Sequence, residues 1–125
     1  MLKKLTDLIR TTFPSESDIG ITSIQQLEYF TACLEEGLRT YPPVPSGLPR
    51  TTTKEGNMIC NRYVPPNTTV YVTQLAAYSS ERNFADPDLF VPERWMKNPP
   101  AKYVNDNKKV LQPFSVGPRN CIGRK

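Results

Sequence analysis

The chain has 125 residues, 16 basic against 12 acidic side chains and 38% hydrophobic residues, a one-domain size and a balance that excludes both a membrane bundle and a compositionally disordered segment. It contains no histidine, which removes Ser-His-Asp triads, Cys-His proteases and His-bound zinc. Its 13 prolines disfavour long bundles and regular central sheets, because proline fixes φ and lacks a backbone donor.

Taken in chain order, Leu2, Leu5, Leu8 and Ile9 recur at helical spacing among Lys3, Lys4, Asp7 and Arg10 and predict a core-facing helix over 1–14, closed by Phe13-Pro14. Residues 15–20 read as polar linker. A second helix is predicted over 23–40, opening on Ser23 with Gln26 at capping-box spacing and ending before Pro42-Pro43. Leu27, Phe30, Leu34 and Leu38 mark its expected buried stripe. Glu36 and Arg39 fall three apart on one helical face; by themselves they read as an exposed ion pair worth ~0.3 kcal/mol.

The stretches 58–64 and 68–73 are rich in β-branched and aromatic residues and are joined by Pro65-Pro66-Asn67, which predicts a hairpin over 57–73. Residues 74–79 suit one helical turn. From 83 to 113 an irregular meander is expected, a length that usually means function or support from something bound. No apolar run approaches the ~18 residues that span a bilayer, and 1–13 is too broken by charge for a signal peptide.

Charge is uneven: residues 102–125 carry six basic groups against the single acid Asp106. Such a stretch suits nucleic acid, an acidic partner protein or an anionic cofactor, and charge alone does not choose among them. The three cysteines, Cys33, Cys60 and Cys121, make neither a disulfide framework nor a C-x-x-C pair and read as reduced thiols of an intracellular protein. Cys121 stands apart. It sits in a bend between Gly117, which permits positive φ, and Gly123, which lets backbone approach the sulfur, with Arg119 nearby. A helix starting there would favour thiolate over thiol. One thiolate with no second cysteine beside it and no histidine suits haem iron better than zinc or an iron–sulfur cluster.

The pattern F-x-x-G-x-R-x-C-x-G, carried by Phe114, Gly117, Arg119, Cys121 and Gly123, resembles the haem-binding loop of cytochrome P450. Glu36-Gly37-Leu38-Arg39 with Tyr41-Pro42-Pro43 resembles the family's E-x-x-R helix, and Pro92-Glu93-Arg94-Trp95 its P-E-R-[FW] segment. The wording of YPPVPSGLPR, DPDLFVPERW and LQPFSVGPRNCIGR is most similar to fungal P450s of secondary metabolism, the trichothecene C-15 hydroxylase-like group.

The resemblance covers the whole chain and implies an α+β, mainly helical P450 fold, represented by its C-terminal part: E-x-x-R helix, small hairpin, meander and Cys-ligand loop over 114–123. It implies Cys121 as axial ligand of haem b, Phe114 packed beside it, and Arg119 and Arg50 facing the two propionates, with an exposed strand-edge charge as the other reading of Arg50. It implies that Glu36, Arg39 and Arg94 form one buried triad, and that Val44, Ser46, Gly47 and Leu48 lie in a substrate-recognition stretch. The implied activity is monooxygenation of a lipophilic secondary metabolite, such as a terpenoid or polyketide mycotoxin precursor. Electrons would come from NADPH through NADPH–cytochrome P450 reductase, docked on Lys102, Lys108, Lys109 and Arg124, with no nucleic acid as partner. Full-length relatives would sit on the cytosolic face of the endoplasmic reticulum, their membrane contact made through segments without counterpart here. The family's oxygen-activating helix and its W-x-x-x-R helix also lack counterparts. A non-catalytic truncated remnant and a basic module binding an acidic partner are the rival readings.

Overall fold

The computed structural model describes residues 2–124. Helix α1 spans Leu2–Thr12 and buries none of its residues. It is held by Lys4, whose Nζ lies 2.9 Å from Glu93 Oε1 and 3.9 Å from the centroid of the Tyr29 ring, a cation–aromatic contact reinforced by an ion pair.

The single helix expected over 23–40 is divided. Helix α2 covers Ile21–Ile24 and helix α3 Glu28–Thr40, with Leu27 between them in an extended conformation (φ −77°, ψ 103°). Ser23 is the reason its signal misleads. Its hydroxyl accepts the Gly20 N–H at 2.9 Å and donates to Asp18 O at 3.0 Å, so it closes α2 on the preceding turn instead of capping a longer helix.

The buried face of α3 also differs from the apolar stripe. Tyr29, Ala32, Glu36 and Arg39 are buried, whereas Leu34 is 53% exposed and Leu27, Phe30 and Leu38 are half-buried. The helix turns its charged residues inward because partners for them arrive from the distant segment at Pro92–Trp95, a 3₁₀ turn that packs along α3.

Two small antiparallel sheets follow, making the chain α+β. Strand β1 (Arg50–Thr51) pairs with β4 (Thr69–Val70), and β2 (Asn57–Ile59) pairs with β3 (Arg62–Val64). The hairpin expected to turn at Pro65-Pro66-Asn67 is therefore corrected: the tight turn is Cys60-Asn61, with φ of 50° and 59°, the doubly positive signature of a type I′ hairpin. The Pro-Pro-Asn bend instead returns the chain to β1, where buried Thr52 donates to Pro65 O at 2.7 Å and accepts the Thr68 N–H at 2.8 Å. Gly47 sits at φ 88°, and a Cβ there would lie 1.9 Å from Val72 O, so backbone approach excludes any side chain at that position.

After α4 (Gln74–Tyr78) the described backbone up to Phe114 has only short 3₁₀ turns, at Pro92–Trp95, Ala101–Tyr103 and Lys108–Val110. The core reflects this. Its six largest fully buried side chains are Arg39, Arg94, Tyr78, Phe84, Glu36 and Pro92, so half of them are charged. No described helix is long and apolar enough to cross a membrane.

The Cys60 conformation yields a test. An L-residue in the left-handed region costs about 1–2 kcal/mol unless it is Gly, Asn or Asp. Cys60→Asn is expected to raise the midpoint of chemical denaturation and Cys60→Val to lower it, each by about 1 kcal/mol in stability.

Candidate functional site

Glu36 is fully buried, and its carboxylate accepts five hydrogen bonds. Arg39 donates Nε to Oε2 at 2.9 Å and Nη2 to Oε1 at 2.8 Å, a bidentate fork from one turn along the same helix. Arg94 Nε reaches Oε1 at 3.2 Å, the Val91 N–H reaches Oε1 at 2.8 Å, and Trp95 Nε1 reaches Oε2 at 2.8 Å. The two arginines spend most of their remaining donors on backbone. Arg39 bonds the carbonyls of Tyr78, Pro87 and Leu89 at 3.0, 2.7 and 2.8 Å, and Arg94 bonds that of Ala85 at 3.0 Å and the Asp106 carboxylate. Phe84, wholly buried, lies beneath both guanidinium groups at 5.4 and 5.8 Å. Burial by itself would raise the Glu36 carboxyl, but the bonds from Arg39, Val91 and Trp95 outweigh it and hold the group below its ordinary 4.5.

The second constellation is the loop 114–123. Its backbone closes on itself: the Cys121 N–H donates to Phe114 O at 2.8 Å, and the Ser115 N–H to Gln112 O at 3.0 Å. Ser115 and Gly117 take φ of 61° and 79°. Phe114 is half-buried, while Gly117, Arg119, Cys121 and Gly123 are exposed. A short 3₁₀ turn, Ile122–Arg124, follows the cysteine. Beside the loop lies a cavity of about 450 Å³ lined by Leu48, Arg50, Gln74, Tyr78, Gln112 and Ser115, among others. Arg50 joins strand β1 to the loop, its Nη2 lying 3.5 Å from Ser115 Oγ.

Of the stretch 44–48, Leu48 lines this cavity, Val44 is half-buried, Ser46 is exposed and Gly47 is packed under Val72. Lys102 pairs with Asp86 at 2.6 Å; Lys109 is exposed and Lys108 half-buried, and the Arg124 side chain lies outside the described residues. Cys33 is half-buried and Cys60 is exposed in the hairpin turn; burial pushes the Cys33 thiol up.

Three features escaped the sequence reading: the indole donor of Trp95, the carboxylate of Asp106, and the contact by which Tyr78 holds the entry to the loop. The Tyr78 hydroxyl accepts the Gln112 N–H at 2.9 Å, and Gln74 Nε2 donates to Gln112 O at 3.1 Å. A buried phenol aligned with Gln112 has no local pattern to announce it. The single acid within a basic stretch was visible as a count, and its partner was not.

The sequence model of the family described as cytochrome P450 matches residues 1–125. The chain belongs to the cytochrome P450 family. It is 50% identical over 123 residues to cytochrome P450 monooxygenase efuB of Hormonema carpetanum, covering 98% of this chain and 24% of that protein. To the trichothecene C-4 hydroxylase of Trichoderma arundinaceum it is 49% identical over 130 residues, 99% of this chain and 26% of the relative. To cytochrome P450 monooxygenase AMT3 of Alternaria alternata it is 49% identical over 123 residues, 98% and 25% respectively. This P450 chain thus resembles fungal P450s of secondary metabolism and spans about a quarter of the length of these relatives.

The network predicts acid sensitivity with a definite sign. A carboxyl held below 4.5 in the folded state adds stability that is complete above that value and is lost as pH falls through the lowered one. Glu93, whose burial is outweighed by Lys4, and Asp86, bonded by Lys102, are lowered as well. Stability should therefore decline below about pH 4.5. Glu36→Gln should flatten that decline and, at neutral pH, cost about 3–5 kcal/mol, the loss expected when a buried pair is broken on one side. Unfolding midpoints across an acid titration check both statements.

Proposed function

We propose that this chain is the haem-binding, carboxy-terminal part of a P450 monooxygenase, with Cys121 as thiolate ligand of haem b. The observation that carries the reading is the loop 114–123, which offers one exposed thiol on a backbone closed by the Cys121 N–H to Phe114 O bond at 2.8 Å. The donor set fits the group. Haem–thiolate ligation needs a single sulfur, and among the described residues no cluster of three or more Cys, Asp or Glu stands ready to hold a bare ion.

Bound haem with a thiolate ligand supplies dioxygen activation, the thiolate pushing electron density that favours O–O cleavage. The chain's own residues position and anchor it. Gly117 at φ 79° bends the loop so that the cysteine follows Arg119 back toward Phe114, and Phe114 packs at its base. Arg119 and Arg50 are the forked donors for the two propionates; Arg50 supports this by lying in the cavity wall with Ser115. Glu36, Arg39 and Arg94 form the structural triad that fixes the meander leading into the loop.

By family, the substrate is a lipophilic secondary metabolite, a terpenoid or polyketide of the kind that becomes a mycotoxin, and Leu48 belongs to its wall. NADPH–cytochrome P450 reductase supplies the electrons, with Lys102, Lys108 and Lys109 on the face it approaches. The complete enzyme resides on the endoplasmic reticulum, facing the cytosol.

In a full-length cytochrome carrying this segment, Cys121→Ser is expected to abolish the thiolate-type ferrous–CO band, whereas Cys33→Ser and Cys60→Ser leave it in place. Survival of the band in Cys121→Ser, with its loss in either other variant, would refute the assignment. CO-difference spectra of the three purified variants decide it.

A further inference from the structure

The buried network carries an imbalance that its three named members cannot resolve. Arg39 and Arg94 bring two positive charges and Glu36 one negative charge, all on side chains that are 0–1% exposed. An uncompensated charge at such depth is costly, because its hydration is lost and nothing replaces it. The neighbouring carboxylates are already matched to cations of their own: Glu93 to Lys4 at 2.9 Å and Asp86 to Lys102 at 2.6 Å, both pairs on partly exposed side chains. The remaining acid is Asp106. Its side chain is 3% exposed, and its Oδ2 accepts from Arg94 Nη1.

We propose that Asp106 is the fourth charge of this network, neutralising Arg94, and that it acts as a positioning residue for the Cys121 loop. Its other oxygen, Oδ1, accepts the Ala85 N–H at 2.8 Å, so one carboxylate ties Arg94 to both limbs of the meander. The next residue continues the clamp, with the Asn107 N–H donating to Asn83 O at 2.7 Å. The chain then turns through Lys108–Val110 and buries Leu111. It delivers Gln112 to the Tyr78 hydroxyl at 2.9 Å, immediately ahead of Phe114 and the loop. Asp106 thereby sets where the ligand loop begins. The spectral part of the test below rests on the haem–thiolate reading of Cys121; the stability part does not.

Asp106→Asn keeps the shape and the oxygen that accepts the Ala85 N–H, while it removes the charge and sets an N–H donor against Arg94 Nη1. In a full-length cytochrome carrying this segment, that variant should lower the thermal midpoint by roughly 3–5 °C and convert most of the thiolate-type CO band to the thiol type. Glu81→Gln, which removes one exposed acid from the same region, should change neither. In an Arg94→Gln background the cluster holds one charge too many of the opposite sign. There Asp106→Asn should raise the midpoint above that of Arg94→Gln alone, a reversal that a simple packing role would not produce. Where the Arg94→Gln proteins do not accumulate, Asp106→Asn against Glu81→Gln decides by itself. A midpoint and CO band for Asp106→Asn equal to those of the parent would overturn the proposal, as would equal losses in both backgrounds. If the parent itself shows no thiolate band, the haem reading fails, and the midpoints still judge Asp106.

Discussion

The structure depends on one buried carboxylate. Glu36 gathers donors from its own helix, from the Val91 backbone and from the Arg94 and Trp95 side chains, and so ties α3 to the meander. The physical need behind it lies in the meander. A segment with almost no helix or ladder leaves its carbonyls without regular partners, and buried carbonyls must find donors. Arg39 and Arg94 supply them at Tyr78, Ala85, Pro87 and Leu89. Guanidinium forks here do what strand pairing does elsewhere, and Glu36 holds the forks in place.

This arrangement accounts for an otherwise odd core. Fully buried arginines with a fully buried glutamate are poor candidates for stability by themselves, since desolvation offsets much of their attraction. Their use is geometric. Planar donors at 2.7–3.0 Å from Tyr78, Pro87 and Leu89 carbonyls accept little displacement, so the meander has one arrangement rather than several. That definiteness passes along Leu111, Gln112 and the Tyr78 hydroxyl to the loop bearing Cys121. An exposed thiol on a ten-residue loop is well placed only if the chain entering that loop is.

Local signals served well where their cause was local. The ends of α1 and α3 follow from proline placement, and the loop 114–123 is a contiguous run whose residue types can be read one by one. The signals misled where two local devices competed. Ser23 had two possible partners, Gln26 ahead and Gly20 behind, and the bond to Gly20 divided the helix. Pro65-Pro66-Asn67 does turn the chain, with Asn67 at φ 54°, yet the paired hairpin closes at Cys60-Asn61, although cysteine is not a usual residue at such a turn. Turn chemistry names candidates, and strand pairing chooses between them.

The amino-acid sequence by itself determined the family, the place of Cys121 in the loop 114–123 and the order of helix, strands, meander and loop, because each is written in contiguous residues. Only the tertiary structure decided which face of α3 is inside. Apolar periodicity pointed to Leu27, Phe30, Leu34 and Leu38, whereas the buried face carries Tyr29, Ala32, Glu36 and Arg39. The stripe reports how much each side chain gains by leaving water. It does not report that Arg94, 58 residues away, and Asp106 beyond it will bring the charges and donors that make a buried glutamate tolerable. Charge balance in a core is a property of residues assembled in space, and no window along the chain contains it.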